Sequence, residues 1–112
     1  AGNTKHDGGK GVLIYADNTH LHGPLGLALG PNGDLFTANG DAINADSKQP
    51  SEIVEFTTQG RFVAQLSVDP AQGGAFGLAF SQTRSDIVRF AAVDDNVPNI
   101  TVWRLPFDDS GR

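Results

Sequence analysis

Hydrophobic and polar residues alternate in short runs along this chain, and no run keeps a helical period over three turns. The clearest run is "LGLAL" at residues 25–29, which is followed by the turn "GPNGD" and the second run "LFTAN". Within the turn, Asn32-Gly33 is a strong hairpin signal because glycine takes the positive φ that such turns require. We therefore predict an antiparallel hairpin of residues 25–29 and 35–38, with Gly33 at positive φ.

Six further apolar runs predict strands on the same grounds. A second hairpin joins "EIVEF" (52–56) to "RFVAQLSV" (61–68) across the turn "TTQG". The total is about eight strands with essentially no helix, so the predicted fold class is all-β. Residues 12–106 would hold the strands, between a flexible N-terminal segment (1–11) and a C-terminal tail (107–112). The remaining runs are "VLIY" (12–15), "AFGLAF" (75–80), "DIVRFAAV" (86–93) and "ITVWRL" (100–105).

Two families of strands recur along the chain. "LGLAL" at Leu25 returns as "FGLAF" at Phe76, 51 positions later, and "VLIY" at Val12 is followed by similar runs at Ile53 and Ile100. Such periods are typical of the four-stranded antiparallel blades of β-propellers, which run to about 40–50 residues each. About eight strands make about two blades, whereas a propeller needs at least about four. The remaining blades of the propeller would then come from oligomerisation or from missing sequence.

The stretch from residue 23 to 68 resembles the NHL repeat of six-bladed β-propellers. That repeat has a proline, a Gly-[Ile/Leu]-Ala strand, a glycine-containing hairpin, and a strand that ends in an aromatic residue before a glycine turn. The second unit departs from it, since residues 81–90 lack the Asn-Gly turn. The matching positions are Pro24, Gly26, Leu27, Ala28, Gly33, Leu35, Phe36, Ala38, Ile53, Phe56 and Gly60.

The repeat pattern has a structural explanation in the small residues of the first strand of each unit. Gly26 and Gly77, with Ala28 and Ala79, would let the innermost strands approach closely around a narrow channel. Core residues of this kind say little about ligands. The resemblance implies a non-enzymatic scaffold whose loops bind a protein, peptide or glycan. Its expected partners are other copies of the chain or the remaining blades of a parent propeller.

The same segment is similar to blades of calcium-dependent lactonases of the gluconolactonase and regucalcin group. In those enzymes Asn, Asp and Glu residues from several blades converge on a metal ion at the channel mouth. The alternative function is therefore a fragment of a Ca²⁺-dependent, lactonase-type hydrolase. About two blades would not assemble a complete site, so such a fragment would be inactive alone.

Charge and composition exclude several partners. The net charge is −5 and the eight Lys and Arg residues are scattered along the chain. They form no continuous basic surface for a phosphate backbone, so no nucleic acid partner is expected. No apolar run approaches the roughly 20 residues that span a bilayer, so no membrane partner is expected. Cysteine is absent, which excludes disulfides and thiolate sites but fixes no compartment. We expect an extracytoplasmic protein, periplasmic or secreted.

Acid and amide clusters that follow predicted strands are the first candidate metal ligands. Asn39, Asp41 and Asp46 follow one strand, and Asp94 and Asp95 follow another. Oxygens of this kind suit Ca²⁺, which takes six to eight of them. The spacing does not match an EF-hand loop, and the same residues are typical of ordinary solvated turns. Both interpretations remain open at the level of sequence.

His20 and His22 form the second candidate. On an extended segment, alternate residues project to the same side, so this His-x-His pair would chelate Cu²⁺ or Zn²⁺. Two ligands do not complete a metal site, and His6 lies in the predicted flexible segment. No cofactor is expected; Ca²⁺ is the first alternative, ahead of Cu²⁺ or Zn²⁺. We expect Trp103 to anchor the core rather than to bind a ligand.

Overall fold

Two antiparallel β-sheets form the protein in a computed structural model that describes residues 9–39, 48, 52–71, 73–82 and 87–106. In these ranges the chain is all-β, no helix could cross a membrane, and neither sheet closes on itself. Sheet A has the strand order β1-β2-β3-β4, and sheet B has the order β5-β6-β7. The strands are β1 (Pro24–Leu29), β2 (Leu35–Asn39), β3 (Glu52–Phe56), β4 (Phe62–Ser67), β5 (Ala75–Gln82), β6 (Ile87–Asp94) and β7 (Asn99–Pro106).

The predicted hairpins are confirmed. In the first, Leu29 pairs with Leu35 across the turn, and Gly33 has a φ of 87°. The Asn32 side chain accepts a hydrogen bond of 3.0 Å from the Asp34 N–H, which is how asparagine stabilises a turn. The second hairpin joins β3 to β4 across residues 57–61, with Gly60 at a φ of 89°.

The prediction of a strand at residues 12–15 is wrong. This segment forms no strand and lies instead against the outer face of sheet A, where the Tyr15 ring stacks on Phe56 at 4.3 Å. The Ile14 carbonyl lies in contact range of Gly60. A strand needs the edge of another strand for its backbone hydrogen bonds, and packing on a face does not supply one. The described part of the chain therefore has seven strands rather than eight.

The first strands of the two sheets lie side by side. A Cβ atom built on Gly26 would lie 2.6 Å from the Phe76 carbonyl oxygen and 3.8 Å from Gly77 Cα. Two residues further along β1, the cross-strand neighbour Phe36 places its ring 4.8 Å from that of Phe80. β1 and β5 therefore run in the same direction. Both strands begin at one end of the molecule, where β2 and β6 end; we call it the polar end.

The core lies between the sheets and is largely aromatic. Phe90 of β6 is 2% exposed, and its ring centroid lies 4.7 Å from Phe80, 5.6 Å from Phe36 and 5.5 Å from Trp103. Trp103 packs against the core, as predicted. Small side chains let the sheets approach around this group: Ala38, Ala75 and Ala92.

Candidate functional site

Asn39 and Asp94, both predicted metal ligands, occupy the same position in the two sheets. Each ends the second strand of its sheet and pairs with the first residue of the first strand, which is Pro24 in sheet A and Ala75 in sheet B. Because β1 and β5 begin at the same end, the structure brings both side chains to the polar end. Each residue also begins the loop that leads to the third strand of its sheet.

Asn39 and Glu52 form a fully buried polar pair at this end. Both residues are 0% exposed, and the Asn39 Nδ2 donates to Glu52 Oε1 at 2.8 Å and to the His20 carbonyl at 2.6 Å. Burying such groups is unfavourable unless they are hydrogen-bonded. The Asn39 Oδ1 is also buried and accepts no hydrogen bond from the residues that the structure describes. The carboxamide oxygen is therefore an available acceptor inside the polar end.

His22 joins the buried pair from the loop before β1. Its Nε2 lies 3.0 Å from the Thr19 carbonyl oxygen and 4.0 Å from Glu52 Oε1. A carbonyl oxygen only accepts, so the Nε2 carries the proton in the contact with Thr19. The side chain is 13% exposed, so little of the ring reaches solvent.

Asp17 organises the loop that carries both histidines. Its carboxylate accepts hydrogen bonds of 2.5 Å from the Tyr15 hydroxyl and from His20 Nδ1, and one of 2.9 Å from the Thr19 N–H. Partial burial raises the pKa of Asp17, but these hydrogen bonds favour the charged form and hold the pKa well below its usual range. Burial, together with the bond to the Asp17 carboxylate, raises the pKa of Tyr15 well above its usual value.

The structure changes the argument for the His-x-His pair. Residues 18–20 form a turn rather than an extended segment, so the alternation on which the chelating geometry was based does not apply. His20 Nδ1 is bonded to Asp17, and its ring stacks on Phe62 at 3.7 Å. Among the residues that the structure describes, no group of three His, Cys, Asp or Glu side chains is arranged to hold a metal ion. Copper or zinc binding by His20 and His22 stays a prediction.

The equivalent end of sheet B carries a pair of carboxyl groups. Burial, followed by the hydrogen bond to Asp69, raises the pKa of Asp94, which is 4% exposed. The Ala71 N–H donates to Asp69 at 2.6 Å and is the main cause that lowers the pKa of Asp69. The two carboxyl groups therefore interact directly, and their pKa values shift in opposite directions. Asn96 links the two loops, because its Nδ2 donates to the Ala71 carbonyl at 3.2 Å.

Of the other predicted acidic ligands, the structure describes Asp95. Asp95 is exposed in the turn between β6 and β7, and its N–H donates to the Gly74 carbonyl at 2.7 Å. Asp41 and Asp46 lie outside the described residues. Sequence reasoning missed Glu52 and Asp69. Glu52 begins an apolar strand, and Asp69 precedes a proline in what looked like an ordinary turn.

Comparison of the chain with protein-family models, with curated proteins and with solved structures found no match. The structure defines the class as an all-β protein of two packed antiparallel sheets. The assignment of a site to the polar end therefore rests on the geometry described above.

Replacing Asp17 by Asn should destabilise the protein by about 2 kcal/mol at neutral pH, since hydrogen bonds to a charged group contribute about that much. The pKa of Asp17 is lower in the folded state than in the unfolded chain. The stabilisation is therefore complete above about pH 5 and is lost as the pH falls below about 4, toward the folded pKa. Urea unfolding of both proteins as a function of pH measures the difference.

The matched control is Asp34→Asn, in the β1–β2 turn, where Asp34 takes part in the turn hydrogen bonds through its backbone N–H and carbonyl. It should show no comparable pH-dependent loss. An Asp17→Asn deficit that stays constant down to about pH 2 would contradict a role for the charged carboxylate.

Proposed function

We propose that sheets A and B are consecutive blades of an NHL-like β-propeller and that the chain acts as a non-enzymatic binding scaffold. Two observations support the blades. Strands follow chain order within each sheet, and the first strands lie side by side. Gly26 stands where the two backbones meet, as the innermost strands of neighbouring blades require.

The observation that carries the binding function is the convergence of polar loops at one end of a rigid aromatic core. The loop of residues 17–22 is fixed by Asp17, and Asn96 joins the β6–β7 turn to the β4–β5 loop. Loops placed on a rigid scaffold are where proteins commonly hold binding residues. The amide, imidazole and carboxyl groups there suit a hydrogen-bonding ligand, which we take to be a protein segment, a peptide or a glycan.

Probing the immobilised protein with a peptide array and a glycan array tests this function. We expect binding that Asn96→Ala weakens at least several-fold, because the exposed Asn96 holds the β6–β7 turn against the β4–β5 loop. Gln59→Ala is the matched control, since Gln59 is an equally exposed amide in the β3–β4 turn at the opposite end. Binding on neither array, or equal losses in both variants, would argue against a ligand site at the polar end.

The second candidate, a fragment of a calcium-dependent hydrolase, is favoured by the carboxyl pair of Asp69 and Asp94. Burial and the negative charge of Asp69 raise the pKa of Asp94, and a bound cation would relieve the repulsion between the two acids. A Ca²⁺ ion that binds the native state alone would stabilise it by about 2.7 kcal/mol at 100 times its Kd. The same protein should then melt at a higher temperature in Ca²⁺ than in EDTA, and Asp94→Asn should not. An unchanged melting temperature removes this candidate and leaves the scaffold function in place.

A further inference from the structure

Each sheet presents an apolar surface that the chain itself leaves exposed. On sheet A, Leu25, Leu27 and Leu29 of β1 are 57%, 63% and 64% exposed; we call this surface face A. On sheet B, the side away from the core carries Ile100 and Val102, which are 65% and 54% exposed, and Gly77 of β5 lines the same depression as Ile100; we call it face B. Contiguous exposed apolar surface of this kind marks an interaction site.

Face A repeats one half of the interface between the two sheets. "GLA" of β1 recurs as "GLA" of β5, 51 positions later, so Leu27 corresponds to Leu78 and Leu29 to Phe80. Leu78 and Phe80 pack against the core on the sheet B side. Their counterparts in sheet A point to the outside. Face A is therefore a second copy of the surface that sheet B offers to sheet A.

Face B repeats the other half. Asn39 and Asp94 are equivalent, so Ile53, opposite Ala38, corresponds to Ile100, opposite Val93. Ile53 is 1% exposed because it faces sheet B, whereas Ile100 faces outward. Face B is thus a second copy of the surface that sheet A offers to sheet B.

Glycine at position 77 supports this correspondence. A Cβ atom on Gly26 would clash with the Phe76 backbone, which explains the glycine there. A Cβ atom on Gly77 would meet only side-chain atoms of Val93, at 3.3 and 3.9 Å, and its φ is not in the left-handed region. Nothing in the described chain therefore requires glycine at that position, but the backbone of a docked sheet would.

The segment 12–15 supplies the second, independent observation. The sequence pattern groups it with the runs at Ile53 and Ile100, but those form the third strands, β3 and β7. Its place in the chain corresponds instead to the fourth strand of sheet A, since it stands 51 positions before residues 63–66 of β4, while sheet B has three strands in the described ranges. In sheet A, β4 pairs with β3 through Ile53–Leu66 and Glu55–Ala64. If residues 12–15 paired with β7 as β4 pairs with β3, Tyr15 would lie opposite Ile100 and Leu13 would lie opposite Val102.

We propose that face B of one copy of this chain docks on face A of a second copy, and that residues 12–15 of the second copy add as a fourth strand to the edge of β7 in the first, which has no partner strand in the described ranges. The contact is head-to-tail, so each copy uses both of its faces. A closed ring forms when the rotation from one copy to the next divides a full turn into equal steps. The segment already lies on its own sheet A through the Tyr15–Phe56 stack, which is where the docked sheet B would meet it. The inference rests on the blade part of the proposed function and is independent of ligand binding.

Cysteine crosslinking tests the register, because the natural chain contains no cysteine. Oxidising a mixture of the single variants Leu13→Cys and Val102→Cys should give a disulfide-linked heterodimer, since directly opposite Cβ atoms lie about 4.5–5.5 Å apart. Val97→Cys replaces Val102→Cys in the control: it is also an exposed valine, at 44%, but lies in the turn between β6 and β7, outside the proposed strand pairing. Equal crosslinking of both mixtures would overturn the proposed pairing.

Sedimentation equilibrium tests the docking of the faces. The protein should reach a mass of two to four chains with increasing concentration, because each copy supplies two blades to a ring of about four to eight. Ile100→Asp should reduce the mass to that of one chain without lowering the melting temperature of the monomer, while Thr58→Asp, in the exposed β3–β4 turn, should leave the association unchanged. A protein that stays a monomer at every concentration would overturn the proposal, whatever the arrays show about ligand binding.

Discussion

Phe90→Ala should destabilise the protein by about 4 kcal/mol, the loss expected when a buried phenylalanine is truncated and leaves a cavity. Phe90 is 2% exposed and touches three other aromatic rings from both sheets. A domain of this size has about 5–15 kcal/mol of stability in total, so this single change removes much of it. Urea unfolding followed by tryptophan fluorescence measures the shift in midpoint.

Phe62→Ala is the matched control for size. Phe62 is half-buried and stacks on the His20 ring outside the core, so its loss should be about 1 kcal/mol. Phe90→Leu should fall between the two, since it keeps most of the apolar volume. Equal midpoints for Phe62→Ala and Phe90→Ala would show that the rings between the sheets are not the main core.

Gly26→Ala should destabilise the protein by about 2–3 kcal/mol, as overpacking of a tight contact does. The added methyl group would lie 2.6 Å from a backbone oxygen, which cannot rotate away, so the two sheets must separate. Gly77→Ala is the same chemical change at the equivalent position, and there the nearest atom is the Val93 Cγ2 at 3.3 Å. It should change the stability of the monomer by less than about 1 kcal/mol.

Both glycine variants should be unfolded in urea at a concentration where the chain is a monomer. Similar midpoints for the two would mean that the β1–β5 backbone contact does not hold the sheets together. A large difference would show that position 26 needs glycine because the two sheets pack closely there. Strand propensity would not explain it, because it is the same for both substitutions.

The hairpins were predictable because their signals are local. Asn32-Gly33 and Gly60 set the turns, and the runs on either side alternate, so the pairing register follows from nearby residues. The failure at residues 12–15 has a non-local cause. "VLIY" has strand propensity, but a strand also needs a partner edge, and in this chain Tyr15 stacks on the face of sheet A instead.

The candidate site was only partly predictable. Asn39 and Asp94 were found because acid and amide residues after strands are visible in the sequence. Glu52 was missed because glutamate is rarely fully buried, and nothing local indicates that Asn39 will meet it across the sheet. The partnership of Asp69 with Asp94 joins residues 25 positions apart and depends on how β5 follows β4.

The agreement between strand order and chain order has a consequence for folding kinetics. Within each sheet every strand pairs with its predecessor in the chain, and the described turns between strands are as short as residues 57–61 and 95–98. Short closures cost little chain entropy, so topologies made of local contacts fold fast. Each sheet can therefore assemble early as its own cooperative unit. We expect the slow step to be the docking of the two formed sheets at Gly26. There the backbones and side chains must fit together before water is excluded from the aromatic core.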